Sequence, residues 1–463
     1  SEVPPFIGCL VQMLHDLDLS NNHINWLPPF LAHIENVDVS NNPLEALPDG
    51  VREAPWVKVQ AHLREVATRT AQFNVQKVVL LGDLGDTKPS FLYQLLGLDK
   101  KLIRSSDKTT QLYRDVRVTP SLTANVWATG LDLHECIISR CVGCSPATYI
   151  IAVDLSLGSR AAIMASKHWI DLLRSSRFFL DSRILIACLR LDSTSMSSSE
   201  AERVYLQMKE HWTMCLGSRV GCYLVNLRVG SGVQELRDAL GAIPPPHAQL
   251  GLSITPNIVY LYDYIARRKE GRMHAKHFLA CAIKFGVPEA DLPAVKALLT
   301  QCGLIISFDT LKLHNMIVID PMWLIGIIES LINLESQWGS EGIFPQADMV
   351  AVFKKYVVAD SDAIFALLQE LDIIVIARNY NSPVVCVPFL FPVDAPDLSD
   401  LWSHTRPNDV APYARTYRFP IALSGFFSRL MVRLLGMPKV IVPRMWRNGM
   451  LIMVEKSQGL IQT

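Results

Sequence analysis

The sequence lacks an excess of charge of either sign, since its 463 residues contain 44 Lys and Arg against 44 Asp and Glu. A protein without a basic field is a poor nucleic-acid scaffold, so we expect no nucleic-acid partner. Asp320, Pro321 and Asp372 interrupt the most apolar stretches before they reach the roughly 20 residues of a membrane span, so we also expect no transmembrane segment.

Cysteine is sparse, with 10 residues spread along the chain and no dense segment that would form a disulfide framework. An apolar N-terminal signal is also missing, so the sequence predicts a reducing, cytoplasmic location. The length exceeds the roughly 250 to 300 residues at which one core stops growing, so we expect several domains. Because the chain starts without Met inside a repeat, we interpret it as a fragment of a longer protein.

What the sequence does contain is a repeat near its start. One pattern of apolar residues, Asn and Leu-Pro occurs in residues 14–28 and again in residues 34–48, 20 residues further on. Its matched positions are Leu14 and Ile34, Leu17 and Val37, Leu19 and Val39, Asn22 and Asn42, Ile24 and Leu44, and Leu27 and Leu47. This is the leucine-rich-repeat signature. Two repeats cannot bury their own faces, so we expect further repeats upstream and protein partners on this segment.

A buried strand at Val75–Leu81 is followed by a loop and a helical segment that align with the phosphate-loop motif G-x-x-x-x-G-K-[ST]. Gly82 and Lys88 occupy motif positions, and Gly85 lies between them. Thr87 stands where the second Gly should be, which places a branched Cβ at the point of phosphate approach. Pro89 replaces the hydroxyl that holds Mg²⁺ and also lacks an N–H.

Ser90 does not replace the missing hydroxyl simply, because one residue along a helix turns a side chain by about 100°. Two readings of this loop therefore stay open. It either still binds a Mg²⁺-nucleotide tightly or is a structural loop that has lost its ligand. For the chain we predict at most weak binding of GTP or GDP, with a doubtful Mg²⁺ site.

Two further nucleotide motifs are incomplete. Gly130 ends the strand-like residues 123–130, but Trp127 holds the position of the Asp in D-x-x-G. Arg190 and Asp192 end another buried strand, where Asp192 could accept hydrogen bonds from guanine and Arg190 could lie over the base. The alternative for Asp192 is a cap on the following Ser-rich stretch. Five apolar strands alternating with helices predict an α/β doubly wound parallel sheet of the Ras-like phosphate-loop type.

At this point the chain resembles the Roco family, in which leucine-rich repeats precede a Roc GTPase domain and a COR domain. Residues 126–130 and 152–158 are similar to the V-W-D-F-A-G and V-x-D-L-S-x-G stretches of the leucine-rich-repeat kinase branch. Residues 298–308, 318–324, 425–430 and 444–450 are similar to phrases of the COR domain. The resemblance implies a GTP-binding switch coupled to a COR-mediated homodimer, and in the kinase branch a kinase further C-terminal.

We divide the chain into C-terminal leucine-rich repeats at 1–60, Roc at 74–245, COR-A at 250–395 and the start of a truncated COR-B at 410–463. Two helices followed by a hairpin, from residue 273 to residue 319, predict an α+β winged-helix-like COR unit that contacts protein. The departures at Thr87, Pro89 and Trp127 argue against hydrolysis, so we predict no catalytic residue.

The favoured hypothesis is a regulatory scaffold with a degenerate GTP site. The first alternative is a working switch with slow GTP hydrolysis, and the second is ligand binding by the repeats alone. A cluster of one His and three Cys could suggest zinc, but buried free thiols explain it more simply, so we predict no metal site. The cluster consists of His134, Cys136, Cys141 and Cys144.

Overall fold

A computed structural model describes most of the chain. The described residues are 2–97, 110–129, 143, 145–174, 176, 178–190, 196–308, 310, 313–332, 342–354, 361–377, 383–398, 400, 417, 426–437, 440–454 and 457–462. Among them, none of the helices has the length and apolar character needed to cross a membrane.

The N-terminal segment contains two short parallel strands, β1 (Asp16–Asp18) and β2 (Asn36–Asp38), followed by helices α1 (Asp49–Arg52) and α2 (Trp56–Ala71). Leu17 of β1 pairs with Val37 of β2, as the sequence offset requires. The Asn42 amide donates to the carbonyls of Leu19 (2.8 Å) and Val39 (3.0 Å). Because this one side chain bonds backbone of both turns, it fixes their spacing.

The central domain is built on six strands in the order β4-β5-β3-β6-β7-β8. All neighbours are parallel except β4 and β5, which are antiparallel. The elements in chain order are β3 (Val75–Leu81), α3 (Lys88–Leu96), β4 (Gln111–Thr119), β5 (Leu122–Ala128), β6 (Thr148–Asp154), α4 (Gly158–Arg174), β7 (Arg183–Arg190), α5 (Ser198–Leu216), β8 (Val220–Asn226) and α6 (Val233–Gly241).

Strand β4 is absent from the sequence prediction, which contained five parallel strands. It lies at the edge of the sheet and its side chains are mostly half-buried or exposed. An edge strand of this kind carries polar residues and no continuous apolar run, so the signal that identified the buried strands was missing. The sheet is therefore mixed, with a parallel core of five strands.

The two faces of this sheet are covered differently. Helices α3 and α6 cover one face, where Phe91, Leu95 and Leu236 are buried against Val78 and Leu80. Helices α4 and α5 cover part of the other face, and the same apolar cluster continues into residues 306–390 of the C-terminal half. The C-terminal half is thus packed directly on the sheet.

The first C-terminal unit contains helices around a small antiparallel sheet of order β10-β11-β9. Its elements are α7 (Pro246–Gln249), α8 (Pro256–Arg267), β9 (Arg272–His274), α9 (Ala275–Lys284), α10 (Leu292–Gln301), β10 (Ile306–Ser307), β11 (Met316–Val318) and α11 (Pro321–Ile332). The helices expected from the apolar spacing at 273–285 and 291–302 correspond to α9 and α10, each shorter at both ends.

The second unit has a three-stranded antiparallel sheet of order β12-β14-β13, and the third has a sheet of order β15-β16-β17. Their elements are β12 (Ile343–Pro345), α12 (Gln346–Phe353), α13 (Ser361–Glu370), β13 (Val375–Ala377), β14 (Val384–Cys386), α14 (Phe426–Leu435), β15 (Val440–Trp446), β16 (Gly449–Val454) and β17 (Ser457–Gln462). The buried carboxylate of Asp372 joins these units through Arg433 (2.8 Å) and Arg429 (3.7 Å) of α14.

One apolar core joins the N-terminal segment to the first C-terminal unit. Leu27, Leu31 and Leu63 belong to the same buried cluster as Tyr260 and Leu298. The fully buried Tyr260 also donates its hydroxyl to the Leu27 carbonyl, 2.7 Å away. Each buried side chain of this size contributes about 1.5–3 kcal/mol to stability, so these side chains together stabilise the contact between the two segments.

Candidate nucleotide site and its protein contacts

The phosphate-loop sequence lies at the carboxyl end of β3, as predicted. Gly82 has φ +128°, and a Cβ at this position would lie 2.3 Å from the carbonyl oxygen of Ala152 in β6. Both the backbone conformation and the space therefore require glycine. The requirement comes from the neighbouring strand, and it holds whether or not a phosphate is bound.

Two backbone amides of the loop, those of Thr87 and Lys88, are bonded within the loop. Residues Gly85–Thr87 form one turn of 3₁₀ helix that leads into α3. The Thr87 N–H donates to the Leu84 carbonyl (3.0 Å), and the Thr87 hydroxyl donates to the same oxygen (2.6 Å). The Lys88 N–H donates to the Gly85 carbonyl. In a phosphate-binding loop, successive N–H groups of this segment point at the ligand.

The Lys88 side chain is 5% exposed, and its ammonium group donates to the carbonyl oxygen of Thr129. Thr129 follows β5, and its hydroxyl donates in turn to the Leu80 carbonyl of β3 (3.0 Å). Lys88 therefore connects the start of α3 to the ends of two strands. In a phosphate loop this ammonium reaches the terminal phosphates.

Pro89 and Ser90 lie in the first turn of α3, which spans Lys88–Leu96. Proline fits there because the first amides of a helix have no intrahelical acceptor. Ser90 is exposed. Gly85 has φ +48° with open space around it, so its glycine is required by backbone conformation alone.

Trp127 lies on the sheet face opposite α3, fully buried in the core shared with the C-terminal half. The Lys77 ammonium lies 4.8 Å from the centre of its ring. A Cβ on Gly303 would approach Trp127 Nε1 to 3.0 Å, so that residue packs closely against the indole. At the Asp position of D-x-x-G, the chain thus has a tryptophan that packs against Gly303 of the C-terminal half.

The remaining predicted site residues are partly described. The Arg190 guanidinium donates to the Ser198 hydroxyl (2.5 Å) and to the Met196 carbonyl (3.0 Å), which holds it against the start of α5. Gly130 and Asp192 lie outside the described residues. The His and Cys cluster at 134–144 also lies outside them, and the described part of the chain contains no group of three potential metal ligands.

Sequence reasoning missed a polar network on the sheet face. The fully buried Asn125 of β5 donates to the Cys302 carbonyl (2.8 Å) and to the Tyr262 hydroxyl (3.0 Å), and it accepts from the Asp115 N–H (2.9 Å). The Tyr262 hydroxyl donates to the Asp115 carboxylate at 2.7 Å. Asp115 has φ +51° at a bulge in β4. An Asn inside an apolar strand was the available signal.

Burial, followed by the nearby Asp115 carboxylate, raises the pKa of Tyr262 well above its ordinary value of 10. The hydroxyl consequently remains a hydrogen-bond donor at neutral pH.

Arg69 of α2 forms a bidentate ion pair with Asp263 of α8, with N···O distances of 2.7 and 2.8 Å. Arg114 of β4 reaches Asp320 at 3.3 Å. The Asn125 network and the Arg114 pair fix the β4–β5 hairpin to the C-terminal half, and the Arg69 pair joins α2 to α8.

Known proteins resemble the chain over the same regions. Residues 261–391 match the family described as the C-terminal of Roc, COR-A domain. The probable serine/threonine-protein kinase pats1 of Dictyostelium discoideum is 22% identical over 415 residues, which cover 83% of this chain and 13% of that protein. The probable serine/threonine-protein kinase roco11 of the same organism is 25% identical over 182 residues, or 37% of this chain and 12% of that one.

A solved structure, Methanosarcina barkeri Roco2 RocCORdC bound to GDP, is also similar. It aligns with a TM-score of 0.50 and 17% identity, covering 68% of this chain and 96% of that one. This likeness is one of fold. The chain spans only about an eighth of the length of the curated relatives described here.

The mixed parallel sheet with its phosphate-loop topology, followed by a COR-A unit, defines the class as a Ras-like α/β domain joined to COR. The chain belongs to the Roco family, with Roc and COR domains. The predicted family membership is therefore confirmed.

Proposed function

We propose that this Roc-COR module is a regulatory scaffold whose GTP site is degenerate. The observation that carries the proposal is the phosphate loop itself, in which the Thr87 and Lys88 amides donate within the turn. The Lys88 ammonium is bonded to the Thr129 carbonyl. Together with Pro89, which offers no hydroxyl to Mg²⁺, this arrangement does not fit a Mg²⁺-bound nucleotide. We therefore derive no hydrolytic step.

The proposal includes the predicted domains, which are leucine-rich repeats at 1–60, Roc at 74–245, COR-A at 250–395 and the start of COR-B at 410–463. Cross-turn bonds from Asn42 and the 20-residue register of β1 and β2 support leucine-rich repeats in the first range, which would bind protein partners. Helices α9 and α10 followed by the β10–β11 pair support a winged-helix-like COR unit. Homodimerisation through COR and a cytoplasmic location complete the proposal. The described cysteines are free thiols, which suits a reducing compartment.

Labelled GTP, titrated with and without Mg²⁺, tests the proposal. We expect binding weaker than micromolar and no gain from Mg²⁺. Micromolar or tighter binding that depends on Mg²⁺ would overturn the degenerate site. The double variant Thr87→Gly, Pro89→Ser should gain affinity if the loop alone is at fault, and Ser90→Ala, which changes an exposed neighbour, is the matched control.

A second candidate is a working switch with slow GTP hydrolysis that regulates a serine/threonine kinase further along the protein. It is favoured by the GDP named for the similar archaeal structure and by the kinase names of the curated relatives. Phosphate release from GTP by the purified chain would support this candidate. Light scattering of the same sample measures whether the chain is a dimer.

A further inference from the structure

A cavity of about 490 Å³ lies where the Roc domain meets COR-A. Phe178 belongs to the Roc side, and α9, α10 and β11 supply the COR-A side. Phe278 is 4% exposed, Leu292 8% and Ile317 1%, so these apolar side chains form packed walls. Leu279 is 37% exposed and leaves one edge open to solvent. Small-molecule sites of similar volume occur preferentially at such domain junctions.

The cavity also has a polar end. Thr300 shares a hydrogen bond of 3.1 Å with the Ser307 hydroxyl, and its carbonyl accepts from the Ser145 hydroxyl at 3.3 Å. Lys296 lies one turn before Thr300 on α10 and also lines the cavity. The buried Lys77 ammonium lies 3.4 Å behind the Ser145 hydroxyl. The Ser145, Thr300 and Ser307 hydroxyls therefore lie together at the cavity, and Lys296 lies one helical turn away on the same helix.

The charge at this end has one sign. The described residues that line the cavity include Lys296 and no carboxylate. A ligand complementary to this lining has an apolar body, which displaces water from the phenylalanine and leucine walls, and an anionic head beside Lys296. We propose that this cavity binds a single-chain fatty carboxylate, with its chain between α9 and Phe178 and its carboxylate toward Lys296.

A ligand in this position touches both domains at once. Its binding adds to the stability of the Roc and COR-A contact, because it binds the closed junction and has no such site when the two domains separate. The cavity lies away from the phosphate loop, so this inference does not depend on whether nucleotide binds.

Isothermal titration calorimetry of the full chain with dodecanoate, kept below its micelle concentration, tests the proposal. We expect a dissociation constant of about 10 µM and one ligand per chain. Lys296→Met should weaken dodecanoate about tenfold while leaving dodecanol unchanged, because only the charged head meets the ammonium. Lys276→Met, at an exposed lysine on α9 outside the cavity, is the matched control and should bind as the wild type does.

Ala297→Trp fills the cavity and should abolish the binding of both ligands. Absence of a binding heat with the wild type would overturn the proposal. Equal weakening by Lys296→Met and Lys276→Met would also overturn it, since that result means non-specific attraction to surface charge. Equal affinity for dodecyltrimethylammonium would overturn it as well, since that result means adsorption without recognition of charge. Because Lys296→Met replaces the charged side chain with an unbranched apolar one of nearly the same length, the test does not depend on how Ala297→Trp folds.

Discussion

Two regions of the Roc sheet use their polar groups in opposite ways. At the carboxyl end of β3, the Thr87 and Lys88 amides and the Lys88 ammonium are bonded to backbone of the same domain. On the sheet face, the polar groups of Asn125 and Asp115 are bonded to Tyr262 and Cys302 of COR-A. The first region has the sequence motif of a binding site, but its polar groups form hydrogen bonds within the same domain. The second has no recognisable motif and supplies the contact between domains.

The comparison shows where a buried polar group finds its hydrogen-bond partner. A buried donor or acceptor without a partner costs about 1–3 kcal/mol, so it requires a ligand, a neighbouring domain or its own backbone. In the phosphate loop the backbone supplies the partners, and on the sheet face COR-A does. We therefore expect the module to respond most strongly to changes at the face.

The largest effect is expected for Asn125→Leu. This change leaves the Asp115 N–H and the Cys302 carbonyl without their partner inside the interface, and it should lower the free energy of unfolding by about 3–5 kcal/mol. Urea unfolding followed by circular dichroism measures the loss. Asn36→Leu, at an exposed position of β2, is the matched control and should stay within about 1 kcal/mol of wild type. Equal losses in the two variants would refute a special role for the network.

The next largest effect is a difference in stability between alanine variants of two loop glycines, Gly82 and Gly85. Both have positive φ, but only Gly82 has a neighbouring atom where its Cβ would lie, at 2.3 Å from the Ala152 carbonyl. Gly85→Ala should cost about 1 kcal/mol from backbone strain alone. Gly82→Ala should cost at least about 2 kcal/mol more, because β6 must move. Thermal unfolding of both variants checks this order, which equal midpoints would contradict.

A smaller effect depends on pH. Burial raises the pKa of the Cys222 thiol from about 9 to about 11. The unfolded thiol ionises first as pH rises, so the stability from this group is complete below about pH 9 and is lost as pH approaches 11. Cys222→Ala should remove part of the alkaline loss of stability, on the order of 2 kcal/mol at most. Cys9→Ala, which removes an exposed thiol, should retain the wild-type slope in urea titrations from pH 8 to 11.

The smallest effect is expected at the exposed ion pair between the N-terminal segment and COR-A. The Lys284 ammonium lies 2.6 Å from the Glu45 carboxylate, and both side chains are 38% exposed. Water and salt screen such a pair, so a double-mutant cycle of Lys284→Met and Glu45→Gln should give a coupling of about 0.2–1 kcal/mol. A coupling well above this range would mean that the interface depends on charge more than on its apolar core.

Much of the fold could be predicted from the sequence because it depends on local patterns. Apolar runs identified the five parallel strands, and the Asn and Leu spacing predicted the register of β1 and β2. The edge strand β4 was missed, because a half-exposed strand has no such run. The motif placed Gly82 and Lys88 in the loop after β3, and their role in binding a nucleotide stays a prediction. The bond from Lys88 to Thr129 joins residues 41 apart and has no local signal.

The sequence by itself determined the succession of Roc and COR, the 20-residue register of β1 and β2 and the residue types at Thr87 and Pro89, since each depends on residue type and short spacing. Only the tertiary structure decided that the N-terminal segment shares its core with COR-A and that Asn125 bonds to Tyr262 and Cys302. These contacts join residues that are far apart along the chain. Burial and hydrogen bonding between such residues depend on how whole domains pack, and neighbouring residues alone do not specify that packing.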